Sequence, residues 1–574
     1  MKRKEDFVRY AKITLLLSNC LITIALLTMH QKPSVLLGPF GIYQYLVSSL
    51  EGRLLLVGLF FLVLSSISST TIEETNKLYF ALFFISLILS TLGVPLAVES
   101  LPRFRYSYFT YSFVLYVYRY HQLNSSFIFY HYWPNFSVFG AILFNVALPS
   151  VMDQLTFLKM FPLIVVSLYF LSIFLFFRDN QEVYSTKILV FLMLIYLATN
   201  WTNQEYFSPQ AVALVFVLDL MYLITHKEIF NNHIIFILII LSSTLFFTHL
   251  LSSMIYLMFI AVWYIINTTS KRDTGDNMSK RRAREGKRES PRFSVLLLSV
   301  ILFIIWMLYY AHDYVANNIM LVIFQIKEIL RRGILAYFEN IGGTLQRQKG
   351  DFAHSFIAKS MLVSTFMILI LAFYGLIFRL RALKYKVTLP ERAGFTMLFG
   401  IGIVGIFLGK YGNEYLIRAY LFMLPFIAFY ISYWLGSVSI TTKSDYKNII
   451  KIMAILGLML VLLNLHILLH YGNERYDKVT VSEFEGVIFL DKFKCTPEES
   501  WVDPLKHLVY VDLYKNTKNK CLVFSYGAYQ YSKMYGRESH YNKIRTMSKL
   551  NNRINLIYSS GYLEIYTRGG RSEI

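Results

Sequence analysis

What most limits this chain is its division into apolar blocks of roughly twenty residues, the length a helix needs to cross about 30 Å of hydrocarbon. The blocks run at 9–28, 54–70, 77–97, 154–177, 185–199, 208–225, 233–248, 250–267, 293–311, 360–378, 393–409, 415–437 and 449–470. Of the 574 residues, 56% are hydrophobic and 16% charged, too little charge for a set of soluble domains. The expectation is an all-α polytopic membrane protein of about 13 transmembrane helices. Segment 136–149 follows Pro134 and stops at Pro149 and Ser150, so it reads as an interfacial or re-entrant helix.

Charge orients these segments. The net charge of +21 carries no nucleic-acid motif with it, and basic residues of a membrane protein collect in cytoplasmic loops. Lys2, Arg3, Lys4, Arg9 and Lys12 place the N-terminus inside, as an uncleaved first span. Alternation then puts the basic loop 268–292 inside, where it reads as a solvated stretch without apolar periodicity. Loops 98–153 and 312–359 fall outside. So does a domain at 474–574, which leaves 1–473 as the membrane domain of a multi-pass cell-membrane protein.

The polar residues that could carry chemistry gather on that outer side. Glu99 and Arg103 follow the third span, Trp133 precedes the re-entrant piece, and Gln204, Glu205 and Gln210 lie in a tight link. His249 sits at a hairpin tip. Taken singly, Glu99, Glu205 and His249 are polar at span ends because water is there. Arg418 lies about one turn into a span, where a guanidinium needs a partner. Two partners fit: Glu414, four residues earlier on the same face, or a phosphate or carboxylate ligand. Ser208-Pro209 reads as a helix start able to receive an anion. The aromatic stretch within 99–135 reads as an amphipathic helix at the interface.

Together, Glu99-Ser-Leu-Pro-Arg-Phe104, Tyr132-Trp-Pro-Asn-Phe136, Asn200-Trp…Gln210, Thr248-His249 and Tyr411-Gly-Asn-Glu-Tyr…Arg418…Pro425 resemble large prokaryotic GT-C-like glycosyltransferases. The resemblance spans most of 95–430. It implies transfer of a sugar from a polyprenyl-phosphate-linked donor to a glycan, lipid or protein acceptor on the outer face. It also implies membrane lipid as a partner, and a loop acid that acts as general base or holds a divalent metal. Carried over, Glu99 is the loop acid, Arg418 the clamp on the lipid phosphate, and Glu205, His249 and Glu414 a polar shell. Arg103, Trp133, Gln204 and Gln210 fall within the same motifs as substrate-binding candidates. The related pattern carries an Asp after Pro-Arg-Phe and a His four residues on; Arg105, Tyr106 and Thr110 occupy that stretch here.

The tail reads as a small α/β domain. Leu508–Leu513, Cys521–Tyr526 and Asn555–Tyr558 read as strands, with a hairpin over 558–566 turning at Gly561. Cys495 and Cys521 form a candidate disulfide if the domain faces an oxidising compartment. Two other functions compete with transfer. A lipid-linked glycan flippase or transporter should show mid-span charges and internal repeats, and few are visible. An inactive GT-C-like scaffold fits the altered loop.

Overall fold

The computed structural model describes residues 2–29, 38–68, 77–125, 129–178, 186–202, 204–226, 232–269, 279–332, 352–384, 387–408, 413–437, 446–498, 503–513, 520–534, 537–550, 554–560 and 562–568. Some side chains inside these ranges, those of Glu414 and 279–292 among them, fall outside the description.

Long apolar segments must satisfy their backbone polar groups internally, and they do so as helices. The first group comprises α1 (Lys2–Thr28), α2 (Gly41–Ser48), α3 (Leu50–Ser68), α4 (Lys77–Val98), α5 (Arg105–Tyr120) and α6 (Asn135–Ala147). Next come α7 (Val151–Arg178), α8 (Thr186–Thr199), α9 (Pro209–Thr225), α10 (Asn232–Phe246), α11 (Leu250–Thr269) and α12 (Ser279–Tyr309). The last are α13 (His312–Arg332), α14 (Phe352–Ala382), α15 (Leu389–Leu408), α16 (Asn413–Ser437) and α17 (Tyr446–Tyr471). Among the described residues, α1, α3, α4, α7, α14, α16 and α17 contain the 7 stretches long and apolar enough to cross a membrane. Lys187–Thr199, Pro209–Thr225, His233–Phe246, Leu250–Ile266 and Phe293–Tyr309 are apolar but shorter, each under 18 residues. The chain is therefore a membrane-embedded helical protein.

The lipid-facing surface is plain on α14, where Leu362, Val363, Phe366, Met367, Ile370 and Phe373 are all exposed. Such a patch on a water-soluble protein would aggregate. Inside, α16 packs on α8 and α14, α3 on α1, α15 on α11, and α9 on α7. Gly375 lets α14 approach α16 closely, because a Cβ there would collide with the Tyr430 carbonyl.

After α17 the chain forms α18 (Glu474–Asp477), α19 (Val481–Lys492), β1 (Thr496–Pro497), α20 (Lys506–Leu513) and β2 (Lys520–Ser525). It finishes with α21 (Tyr526–Met534), α22 (Glu538–Leu550), β3 (Ile554–Ser560) and β4 (Leu563–Arg568). The sheet order is β1-β2-β4-β3. β1 runs parallel to β2, and the other two pairings are antiparallel, with Val523 opposite Ile565 and Ser560 opposite Leu563. The hairpin and the two strands expected at 521–526 and 555–558 are present, and the small α/β tail with them.

Four local expectations change. Leu508–Leu513 is helix, not strand: the Asp503 side chain accepts the Leu505 N–H at 3.1 Å, and Pro504 follows it at the helix start. α5 does not lie wet at an interface; it is buried along most of its length between α6 and α20. The basic stretch from Ser279 continues as helix into α12, and the first half of the 312–359 loop is α13. Gly561 lies outside the described residues.

Candidate functional site

The link between α8 and α9 is the partition around which the site is built. Tyr420 donates its hydroxyl to the Thr199 carbonyl at 2.8 Å where α8 stops. Trp201 stacks on Tyr420 and donates its indole N–H to Thr365 at 3.1 Å. At the far end Ser208, in an extended conformation, accepts the Ala211 N–H at 3.2 Å, with Pro209 at the first helical position. The N-terminus of α9 is thereby fixed, and its partial positive charge points to the cavity beside it.

That cavity has a volume of about 270 Å³ and is lined by Ser208, Gln210, His249, Arg418, Gln204 and Asp477, with Tyr106 and Thr110 from α5. Gln210 is 4% exposed, and its Nε2 has no hydrogen-bond partner among the described residues. An anion there would meet a helix N-terminus, an unengaged amide and a guanidinium together. The Ser252 N–H donates to Nδ1 of His249 at 3.3 Å, which leaves Nε2 to carry the proton of the neutral ring. Burial, reinforced by Arg418, pushes that imidazole down to about 3, so it stays neutral at ordinary pH.

Glu205 and Tyr206 are consecutive and face different spaces. Tyr206 lines the larger cavity, while Glu205 lines a second void of only about 30 Å³ with Glu99, Arg103, Lys159 and His470. His470 Nε2 stands 3.1 Å from Glu205 Oε1. A proton on the carboxyl is donated to the imidazole; on the imidazole, it is donated to the carboxylate. Burial pushes the Glu205 carboxyl up to about 7, against the pull of backbone N–H groups and Arg103. Arg103 donates to the His470 carbonyl at 3.2 Å, and its guanidinium lies 4.5 Å from the centre of the Tyr471 ring. Oε1 of Glu99 and Oε2 of Glu205 have no hydrogen-bond partner among the described residues.

Arg105, which directly follows Pro102-Arg103-Phe104, turns away from both cavities' linings. Its side chain is fully buried and donates to both oxygens of Glu483, at 2.8 and 3.0 Å, and to Asp503 at 2.7 Å. Burial opposes its charge, yet Asp503 and Glu483 hold its pKa above the ordinary value. The carboxylates are themselves occupied. Glu483 completes a capping box with Thr480 and accepts the Gly527 N–H at 2.8 Å, and Asp503 accepts the Ser525 hydroxyl at 3.1 Å. A Cβ on Gly527 would strike both the Arg105 guanidinium and Asp503. α5 is thus riveted to the C-terminal domain, with Phe109 against His507 and Tyr108 near Phe484.

The sequence-derived candidates therefore fall into two neighbouring groups. Gln204, Gln210, His249 and Arg418 meet in the larger cavity, and Glu99, Arg103 and Glu205 in the smaller; Phe104 lines both. Trp133 lines neither and packs its buried ring against Tyr314. The Glu414 side chain lies outside the described residues. Cys495 and Cys521 are joined as a disulfide with Cα atoms 5.9 Å apart. Among the described residues no cluster of three or more His, Cys, Asp or Glu could hold a metal ion. Asp477 and His470 carry no motif that would have singled them out in the sequence; topology alone brings them in. No protein-family model matches the chain, and no curated protein is significantly similar to it.

Proposed function

We propose that this chain is a GT-C-like membrane glycosyltransferase that moves a sugar from a polyprenyl-phosphate-linked donor to an acceptor on the outer face. The observation carrying this reading is the convergence of Arg418, the α9 N-terminus and the Gln210 amide on one cavity. These are the groups that neutralise a departing phosphate. Ile417 beside Arg418 offers an apolar margin for a lipid chain. The disulfide supports the placement of the C-terminal domain in an oxidising compartment outside the cytoplasm. With that placement, about 13 helices cross the membrane, several of them short, and the N-terminus lies in the cytoplasm.

The test is retention of polyprenyl phosphate by the full chain in lipid nanodiscs, wild type against Arg418→Ala. Loss of a charge-assisted phosphate contact should weaken retention about tenfold to a hundredfold. Equal retention by the two proteins would remove the donor site from Arg418.

A further inference from the structure

We infer that Asp477, from the segment joining the last membrane helix to the C-terminal domain, is the general base that deprotonates the acceptor hydroxyl. This rests on the transferase reading above and names a residue that reading leaves open.

Glu99 and Glu205 line a void of about 30 Å³, which holds a water or two and no acceptor. Of the two chambers that hold the candidates, the one with room for reacting groups is lined by Arg418, and Asp477 is the one carboxylate among its described lining residues. His249 also faces that cavity, but with Nδ1 occupied and the proton on Nε2 it presents a donor, not a lone pair. Arg105, the first residue of α5, is committed to Glu483 and Asp503.

The position of Asp477 is set from both sides. Tyr476, its neighbour, packs its ring 5.0 Å from His354 and donates its N–H to the Asn473 carbonyl at 2.9 Å. Three residues beyond Asp477, the Thr480 capping box begins, and its Glu483 is gripped by Arg105. The half-buried carboxylate is thereby held at the rim of the cavity, on a different element from the phosphate-facing groups.

The step balances without a co-reactant. The Asp477 carboxylate takes the proton of the acceptor hydroxyl as that oxygen bonds to the anomeric carbon. The bond from the anomeric carbon to the phosphate oxygen breaks, and its electron pair leaves on polyprenyl phosphate, held by Arg418 and the α9 N-terminus.

The experiment uses the full chain in nanodiscs with polyprenyl-phosphate-linked sugars and a mixture of hydroxyl acceptors, water included. It reads both release of polyprenyl phosphate and retention of added polyprenyl phosphate. Asp477→Asn should lower release by about a hundredfold or more while retention stays within about twofold of wild type. Asp477→Glu should recover a measurable fraction of the rate, and size-exclusion profiles should match wild type for both. Release by Asp477→Asn within threefold of wild type would overturn the assignment, as would a loss of retention equal to that of Arg418→Ala. If wild type neither retains nor releases polyprenyl phosphate, the transferase reading itself falls, and the base with it. If wild type turns over and His249→Gln alone abolishes release, the base is His249.

Discussion

Arg105 shows how much one side chain can decide. A fully buried guanidinium gripping two buried carboxylates has no tolerance for losing either side. Arg105→Met would leave Glu483 and Asp503 without their cation and should cost about 3–5 kcal/mol, read as a lowered melting temperature and faster proteolysis near residues 474–480. Arg105→Lys should recover little, because one ammonium cannot fork onto two acids. Gly527→Ala should act in the same direction, since the added methyl meets the guanidinium. Local sequence could not announce this triad: its members are 378 and 398 positions apart along the chain.

Two buried titrating groups give opposite pH signatures. Glu205 is raised in the folded protein from 4.5 to about 7, so its contribution is full below about 4.5 and is lost as pH climbs to about 7. His249 is depressed from 6.5 to about 3, so its contribution is full above about 6.5 and is lost as pH falls toward 3. Glu205→Gln should therefore flatten the decline in melting temperature between about pH 5 and 7 and leave the acid limb in place. An unchanged decline would mean that the Glu205 carboxyl does not titrate in that window.

At the scale of elements, legibility followed periodicity. The long apolar helices, the Ser208-Pro209 start and the hairpin are local patterns, and each was readable. Two Thr-x-x-Glu boxes, Thr388 to Glu391 and Thr480 to Glu483, were equally local, yet what they do was not readable. In both, the glutamate that caps its helix also receives a buried arginine from another element, Arg379 or Arg105. α20 reads locally as strand because Val509 and Val511 are strand formers, and the Asp503-Pro504 start together with packing on α5 overrides that propensity. The disulfide ties the end of α19 to β2 across 26 residues. Cys495→Ser with Cys521→Ser should lower the stability of the domain by about 2–4 kcal/mol, seen as a melting shift that a reductant reproduces in wild type.

For the whole molecule, the decisive quantity is which end of the helices faces which compartment. In a Cys20→Ser background, a reporter at Gly275→Cys should react with an impermeant maleimide only after cells are opened. One at Ser572→Cys should react in intact cells. The reverse pattern would turn the cavity toward the cytoplasm and end the outer-face reading. The broad plan was visible in composition because hydrocarbon imposes it on every span. The division of the polar residues into two chambers was not, because Gln204, Glu205 and Tyr206 alternate between them through the shape of a single link.

The rivet between α5 and the C-terminal domain also sets an order of assembly. Arg105 is translated long before Glu483, Asp503 and Gly527, and all three follow the last apolar helix. The ribosome thus delivers a bundle whose pocket lacks its rim until the final portion of the chain emerges and docks. A product stopped before Glu483 would sit in the bilayer with α1 to α17 made and the Arg105 guanidinium still without its two acids.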